Sequence, residues 1–537
     1  MANFGFIIDN RRCIGCHACT VACKSEHDVP IGVNRTWVKY IERGEFPDSQ
    51  RLFSVMRCNH CDNAPCIEIC PVTALYRRED GIVDFDNRRC IGCKACMQAC
   101  PYDALYIDPQ THTAAKCNYC AHRVDVGLEP ACVNVCPTQA IVSGDLSDPE
   151  SRISKLKKEQ AVVARKVEKG TEPALFYIDG ENDSLDPLAA DANDQFMWSQ
   201  QTSGVGHFSH DASTDDEHVL ERLGRLLSFG EDSTKLAEPS SAKSIVKSLA
   251  AAPRRAYDSP QKGILWGWQV SGYLWTKSIA SGVIVVMVLA KLLAGSIVTG
   301  SMELFATVSA LLFLGLTGGL LVWDLDQPKR FLYVLLRPQW KSWLVRGAYI
   351  ITVYSALLVI NAALCWTSFN SSFHKIIAIP ILITALLTAV YTAFLFAQAK
   401  GREFWRSKMV PLHMVTHAVI NGGAFLGLLV WLWNTDFLDF VSYILLVTAA
   451  IHLVLTLTEM LMPHSHPETV AVVDAIKTGS YSRLFWGVAI FGGILVPLVM
   501  LLVLPVSLLP LSAILLLFGV FTSQHIWVRA PQQIPLS

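Results

Sequence analysis

Sixteen of the seventeen cysteines lie between Cys13 and Cys136, in four groups of four, and no other feature constrains the fold as strongly. The first three groups are Cys13, Cys16, Cys19 and Cys23; Cys58, Cys61, Cys66 and Cys70; and Cys90, Cys93, Cys96 and Cys100. The fourth is more open: Cys117, Cys120, Cys132 and Cys136. The octapeptide DNRRCIGC introduces both the first and the third group, at Asp9–Cys16 and Asp86–Cys93. Disulfides need an oxidising compartment. The opening MANFGFIIDN has no basic n-region, apolar h-region or twin-arginine leader, so it is read as carrying no cleavable export signal. Crowded cysteines are then expected to hold metal.

Groups one and three have the C-x2-C-x2-C-x3-C spacing of bacterial ferredoxins. Three thiolates at three-residue steps on a tight loop reach three corners of one cubane, while the fourth starts a helix that leads to a neighbouring cluster. Gly15 and Gly92 suit the turn. Pro71, Pro101 and Pro137 follow the last cysteine of three groups, with Lys24 in that position in the first. Structural zinc would use four ligands on one centre, usually as two separated pairs. Four quartets with this spacing favour iron–sulfur. The repeated octapeptide is a duplicated cluster-binding loop, and GIVDFDNRRC and DALYID read as short flanking strands.

On these motifs, and on VEKGTEPALFYID further along, residues 1–181 resemble the four-cluster ferredoxin-like subunit of molybdopterin oxidoreductases. That group includes the polysulfide, dimethyl sulfoxide and nitrate reductases. The resemblance implies an α+β ferredoxin-like domain with four [4Fe–4S] clusters. It assigns Cys13, Cys16, Cys19 and Cys136 to one, and Cys23, Cys117, Cys120 and Cys132 to its neighbour. Cys58, Cys61, Cys66 and Cys100 form a third, and Cys70, Cys90, Cys93 and Cys96 the fourth.

The 537 residues exceed one ordinary domain, and a net charge of −1 gives no basic bias toward nucleic acid. Residues 182–262 are rich in Ser, Asp, Glu and Gly and read as a polar linker, partly disordered. Within it EHVLERLGRLLSFG suggests a short amphipathic helix, and His207 and His210 read as loop histidines. From residue 263 to 537 the sequence is mostly apolar, an all-α membrane domain of eight spans. They are expected near 268–290, 303–325, 344–366, 375–398, 409–433, 438–461, 484–504 and 507–528. Fifteen Lys and Arg, among them Lys262, Arg330, Arg402 and Arg529, fall on one side, against Lys291 and Lys375 on the other. The positive-inside rule then puts the termini and the iron–sulfur domain in the cytoplasm, with the protein in the inner (cytoplasmic) membrane.

The stretches WGWQVSGYLWTKSIASGV, LLVWDLDQPKRF, SWLVRGAY, HLVLTLTEM and FWGVAIFGGILVP make this half similar to the NrfD/polysulfide reductase membrane subunits. The resemblance implies eight helices and a quinone/quinol site beside the iron–sulfur domain. Intramembrane polar residues are costly and are functional candidates. Gln269, Tyr273 and Lys277 share one face of the first span; Asp324 ends the second, and Tyr391 lies in the fourth. His413, His417 and Asn421 share a face of the fifth span, and His452 and Glu459 a face of the sixth. Tyr273, Lys277, Asp324, Tyr391, His413 and His417 are the quinone and proton candidates. Asp324 has a plainer reading, as a loop brace to Arg330 or Arg346, and Lys277 as a side chain snorkelling outward. Cys365 reads as a small core residue.

The combined expectation is the electron-transfer and quinone-reactive subunit of an oxidoreductase, wire and anchor in one polypeptide. The soluble half is taken up by cysteine loops and linker, so substrate chemistry is expected on a separate, molybdopterin-type catalytic subunit. Alternatives are an ion-translocating or structural anchor without quinone chemistry, centred on His452 and Glu459, and a haem b module on His413 and His417.

Overall fold

The computed structural model describes residues 2–44, 49–192, 253–259, 262–294, 298–367, 371–431 and 435–537. The apolar run FGFIID makes the central strand Phe4–Asp9, whose Phe6, Ile7 and Ile8 are buried. It pairs in parallel with Leu175–Ile178 and antiparallel with Ile141–Asp145, and Val162–Val163 completes that sheet. A second sheet orders Asp191–Ala192, Arg254–Tyr257, Thr36–Arg43 and Gln50–Arg57. Two hairpins, Leu75–Arg77 with Val83–Phe85 and Leu105–Asp108 with Thr113–Lys116, flank the cysteine loops where GIVDFDNRRC and DALYID suggested strands.

Both ends of the polar segment pack on the iron–sulfur sheets. Leu185 is buried in the core of that domain, and Arg254–Tyr257 covers the edge of Thr36–Arg43 that would otherwise leave backbone groups unpaired. Asp258 fixes this return, accepting from Trp37 Nε1 at 2.7 Å and pairing with Arg255 at 3.2 Å. The suggested amphipathic helix, His207 and His210 lie outside the described residues.

Among the described residues eight helices are long and apolar enough to cross a membrane. They are α1 (Trp268–Ala294), α2 (Gly300–Trp323), α3 (Trp343–Thr367), α4 (Ser371–Gln398), α5 (Val410–Val430), α6 (Thr435–Leu461), α7 (Leu484–Val503) and α8 (Leu509–Arg529). α7 is π-wound over Leu484–Leu495. α1 and α5 form the inner pair: 72% of the most apolar window of each is buried, against 17–44% for the other six. Glycine permits the α1–α5 crossing, since a Cβ on Gly422 would lie 2.0 Å from the Gly282 carbonyl carbon. Cys365 is half-buried on α3, away from the other cysteines.

The iron–sulfur domain rests on one end of this bundle. The contacts come from the α2–α3, α4–α5 and α6–α7 connections and from the C-terminus. Ser342 Oγ donates to Ile69 O at 2.7 Å, and Arg402 donates to Gln98 Oε1 at 3.1 Å. Lys166 and Lys169 pair with Glu468 at 2.7 and 2.8 Å, and Arg165 donates to Leu536 O at 3.3 Å. Several of the basic residues that gave the charge bias are therefore spent on docking, Arg330 and Arg402 among them.

Candidate functional site

In each repeated loop two residues adopt the left-handed region: Gly15 (φ 69°) and His17 (φ 58°), then Gly92 (φ 71°) and Lys94 (φ 59°). These turns fold the three-residue steps back on themselves, so successive cysteines face one cavity. Cys13, Cys16 and Cys19 line a void of about 310 Å³ together with Cys136 from a distant segment. Cys58, Cys61, Cys66 and Cys100 line a second of about 310 Å³, and Cys70, Cys90, Cys93 and Cys96 a third of about 390 Å³. Cys23 has Cys117, Cys132 and Cys120 as charge neighbours. Arg57 donates to Cys132 Sγ at 3.2 Å, and His27 Nε2 lies 3.1 Å from Cys120 Sγ.

All of these thiols are free. Burial pushes Cys19 and Cys120 up to about 12, so only a bound cation would make thiolates of them. Backbone N–H groups point at sulfur: Ala74 to Cys70 at 3.3 Å, Ala114 to Cys90 at 3.3 Å and Ala140 to Cys136 at 3.2 Å. A donor set made only of thiolates around a space larger than one atom fits an iron–sulfur cluster better than a zinc ion.

The Cys90–Cys96 loop is held on the membrane half by several hydrogen bonds, next to the Ile69–Pro71 and Gln98–Cys100 segments. Gln327 N–H donates to Ile91 O at 3.2 Å, and Arg330 donates to Asn87 O at 2.7 Å and Cys90 O at 2.9 Å. Trp266 Nε1 donates to Cys93 O at 3.2 Å, and Lys94 pairs with Asp326 at 3.0 Å. The approach needs glycine: a Cβ on Gly92 would stand 2.6 Å from Asp326 Cβ. Asp324 lies at this junction. Burial pushes its carboxyl up to about 7; Lys94 pulls it down and Asp326 adds to the rise. The brace to Arg330 or Arg346 does not form, since Arg330 is spent on the cysteine loop and Arg346 Nε donates to Trp340 O at 2.7 Å.

Beneath Asp324, Tyr273 of α1 is buried with Tyr391 and Asp324 as neighbours. Lys277 does not snorkel. It is fully buried, donating to Thr392 Oγ1 at 2.6 Å and Ala389 O at 3.0 Å, with its Nζ 4.8 Å from the Tyr391 ring centre. Tyr391 packs flush on Gly347 of α3, where a Cβ would meet its ring at 2.1 Å. Gln269, one turn nearer the junction, is half-buried.

His413 and His417 belong elsewhere. They line a cavity of about 550 Å³ between α5, α6, α7 and α8, with His452, Glu459 and Gln524. His413 Nε2 is 3.2 Å from Glu459 Oε2, and Gln524 Nε2 is 3.2 Å from His417 Nδ1. The six candidates thus divide into a junction group (Tyr273, Lys277, Asp324, Tyr391) and a histidine group. Sequence reasoning passed over Lys94, Trp266 and Gln524. Only Gln524 carried a local signal, as an uncharged polar residue inside an apolar span.

Comparison with known proteins agrees with both halves. Residues 50–146 match a 4Fe-4S dicluster domain, residues 11–26 a 4Fe-4S binding domain, and residues 258–535 the family described as Polysulphide reductase, NrfD. The B subunit of the tetrathionate reductase of Salmonella typhimurium is 45% identical over 189 residues, covering 34% of this chain and 76% of that protein. Protein NrfC of Escherichia coli is 42% identical over 178 residues, 33% of this chain and 80% of the relative. The thiosulfate reductase electron transfer subunit PhsB of Salmonella typhi is 49% identical over 145 residues, 26% and 76%. With an iron–sulfur domain and a multi-pass helical domain in one polypeptide, this protein belongs to the NrfD polysulphide reductase family.

Proposed function

We propose that the protein carries electrons between membrane quinone and a separate, molybdopterin-type catalytic subunit, through four [4Fe–4S] clusters held by the four cysteine sets above. Bound clusters supply one-electron transfer, with potentials tuned by the N–H···S bonds around them. The observation that carries the reading is the seating of the Cys90–Cys96 loop on the segments just before α1 and just after α2. Trp266, which bonds that loop, precedes α1 by two residues, and Tyr273 lies five residues into α1 from Trp268, a rise of about 7.5 Å. A quinone exchanges two electrons and two protons, so it needs donors to its carbonyl oxygens and a route for protons. Tyr273 and Tyr391 supply hydroxyls, Lys277 holds α4 against α1, and Asp324 stands between the pocket and the aqueous junction.

Tyr273→Phe removes one hydroxyl, at about 0.5–1.5 kcal/mol for a lost hydrogen bond, or roughly two- to tenfold in rate. Asp324→Asn keeps the shape and removes proton exchange. Both variants are expected to keep their iron and wild-type dye-linked turnover while quinone-linked turnover falls. Unchanged quinone-linked rates in both would place the site elsewhere.

Iron analysis of anaerobically purified protein should give about sixteen atoms per polypeptide, four from each cubane. A value near eight, or zinc in place of iron, would refute four clusters. The docked face carries the basic loops, so we place it in the cytoplasm. A reporter fused after Ser537 should then read as cytoplasmic, and one inserted at residues 431–434, between α5 and α6, as external. The reverse pattern would mean that the iron–sulfur domain is exported.

A further inference from the structure

We infer that the membrane half binds one divalent transition-metal ion between α5 and α6, on His413, His417 and His452, with Glu459 beside His413. The inference stands apart from the electron route, because these residues lie outside the junction group. His413 and His417 are one turn apart on one face of α5; His452 and Glu459 are two turns apart on one face of α6. One ring nitrogen from each histidine lies within 4.8 Å of the others. The His417 and His452 rings lie 4.6 Å apart at their centres, at 74° to one another.

The side chains are almost fully enclosed: His413 is 8% exposed, His417 6%, His452 1% and Glu459 6%. Yet His417 Nε2, both ring nitrogens of His452 and Glu459 Oε1 have no hydrogen-bond partner among the described residues. So many buried donors and acceptors turned toward one another without partners is what a ligand set looks like before its ion is counted.

The donor chemistry selects the ion. Three imidazoles make a three-histidine set of the kind zinc takes, with no sulfur and too few oxygens for magnesium or calcium. Zn–N bonds of about 2.0–2.1 Å hold ligand nitrogens roughly 3.3 Å apart, so binding draws the imidazoles inward. Gln524 of α8 is the outer partner. Its Oε1 is buried without a partner in the present amide orientation. With the amide turned, Oε1 accepts Nδ1–H of His417 and leaves Nε2 bare for the ion. The three histidines come from two helices, so the ion clamps α5 to α6.

The test uses the full-length protein with its iron complement intact, dialysed against zinc and then against zinc-free buffer. One zinc per polypeptide is expected in addition to the iron. Its X-ray absorption should show only nitrogen or oxygen neighbours near 2.0–2.1 Å; sulfur near 2.3 Å would mark occupancy of a cysteine site and overturn the assignment. His417→Gln and His452→Gln should each remove the zinc at unchanged iron, and Gln524→Leu should weaken it roughly 10–100-fold. Wild-type protein that retains no zinc, or a double variant at His417 and His452 that retains it, would refute the site. The wild-type measurement decides even if a variant fails to fold.

Discussion

Gly282→Leu is expected to remove folded protein from the membrane. A Cβ at Gly282 would lie 1.7 Å from Ala418 O and 3.0 Å from Gly422 Cα, so even the first added carbon meets the backbone of α5. No rotamer change relieves a backbone clash. The helices must separate, and α1 and α5 are the two that most of the bundle packs around. Overpacking a core with side chains alone costs about 1–3 kcal/mol. Parting the inner pair forfeits packing along both helices as well, and the net stability it draws on is only roughly 5–15 kcal/mol for a typical fold. Gly315→Leu is the control: nothing lies within 4 Å of a Cβ there, and its effect should stay within about 0.5 kcal/mol. Detergent-extracted yield and the size-exclusion profile of the two variants make the comparison. A monodisperse Gly282→Leu protein at wild-type yield would mean that the α1–α5 crossing is not as close as described.

Lys169→Met should loosen the iron–sulfur domain from the membrane half by about 3–5 kcal/mol, the cost of stripping one partner from a buried charge network. Lys169 is 3% exposed and lies 2.8 Å from both Glu403 and Glu468, so methionine strips the cation they share and leaves Glu468 to Lys166 and Glu403 to Arg406. Lys155→Ala, which breaks an exposed pair with Glu150, should change little. The two halves share one polypeptide, so loosening appears as protease sensitivity at the interface and as slower quinone-linked turnover at unchanged iron. Burial raises both carboxyls, but the Lys166 and Lys169 charges hold Glu468, and the Lys169 hydrogen bond holds Glu403, below the ordinary 4.5. Their contribution is therefore complete above pH 4.5 and is lost as pH falls through their lowered values. Burial lowers Lys169, yet Glu468 and Glu403 raise it above 10.5, so its contribution is complete below that pH and fades above it. Docking should be strongest between those limits, and Lys169→Met should flatten its acid limb.

What could be read from the sequence shares a physical origin: it was local. The first span was expected at 268–290 and runs Trp268–Ala294, because the length of an apolar run is set by its own residues. The cysteine loops were legible for the same reason, since three-residue spacing and a glycine fix which thiols face one cavity. Distant pairing was not legible. Arg254–Tyr257 looked like linker because a strand of four residues is recognised by the edge it covers, here Thr36–Arg43 more than 200 positions earlier. The two histidines of α5 were placed on one face, but the cavity that this face shares with His452 and Gln524 was not legible.

Helical periodicity gives a residue's depth and its angle around its own axis, both properties of one helix. Which neighbour that angle meets depends on how the helices are arranged. Glycine at Gly282 and Gly422 lets α1 lie against α5 at backbone contact, and α6 and α8 close over the histidine face. The sequence determined that thiolate cavities and eight spans would form, since each follows from short-range spacing and hydropathy. Only the tertiary structure decided that Cys90–Cys96 meets the α2–α3 connection and that His413, His417 and His452 line one cavity. Contacts such as Lys169 with Glu468 join residues 299 positions apart, and no local pattern specifies them.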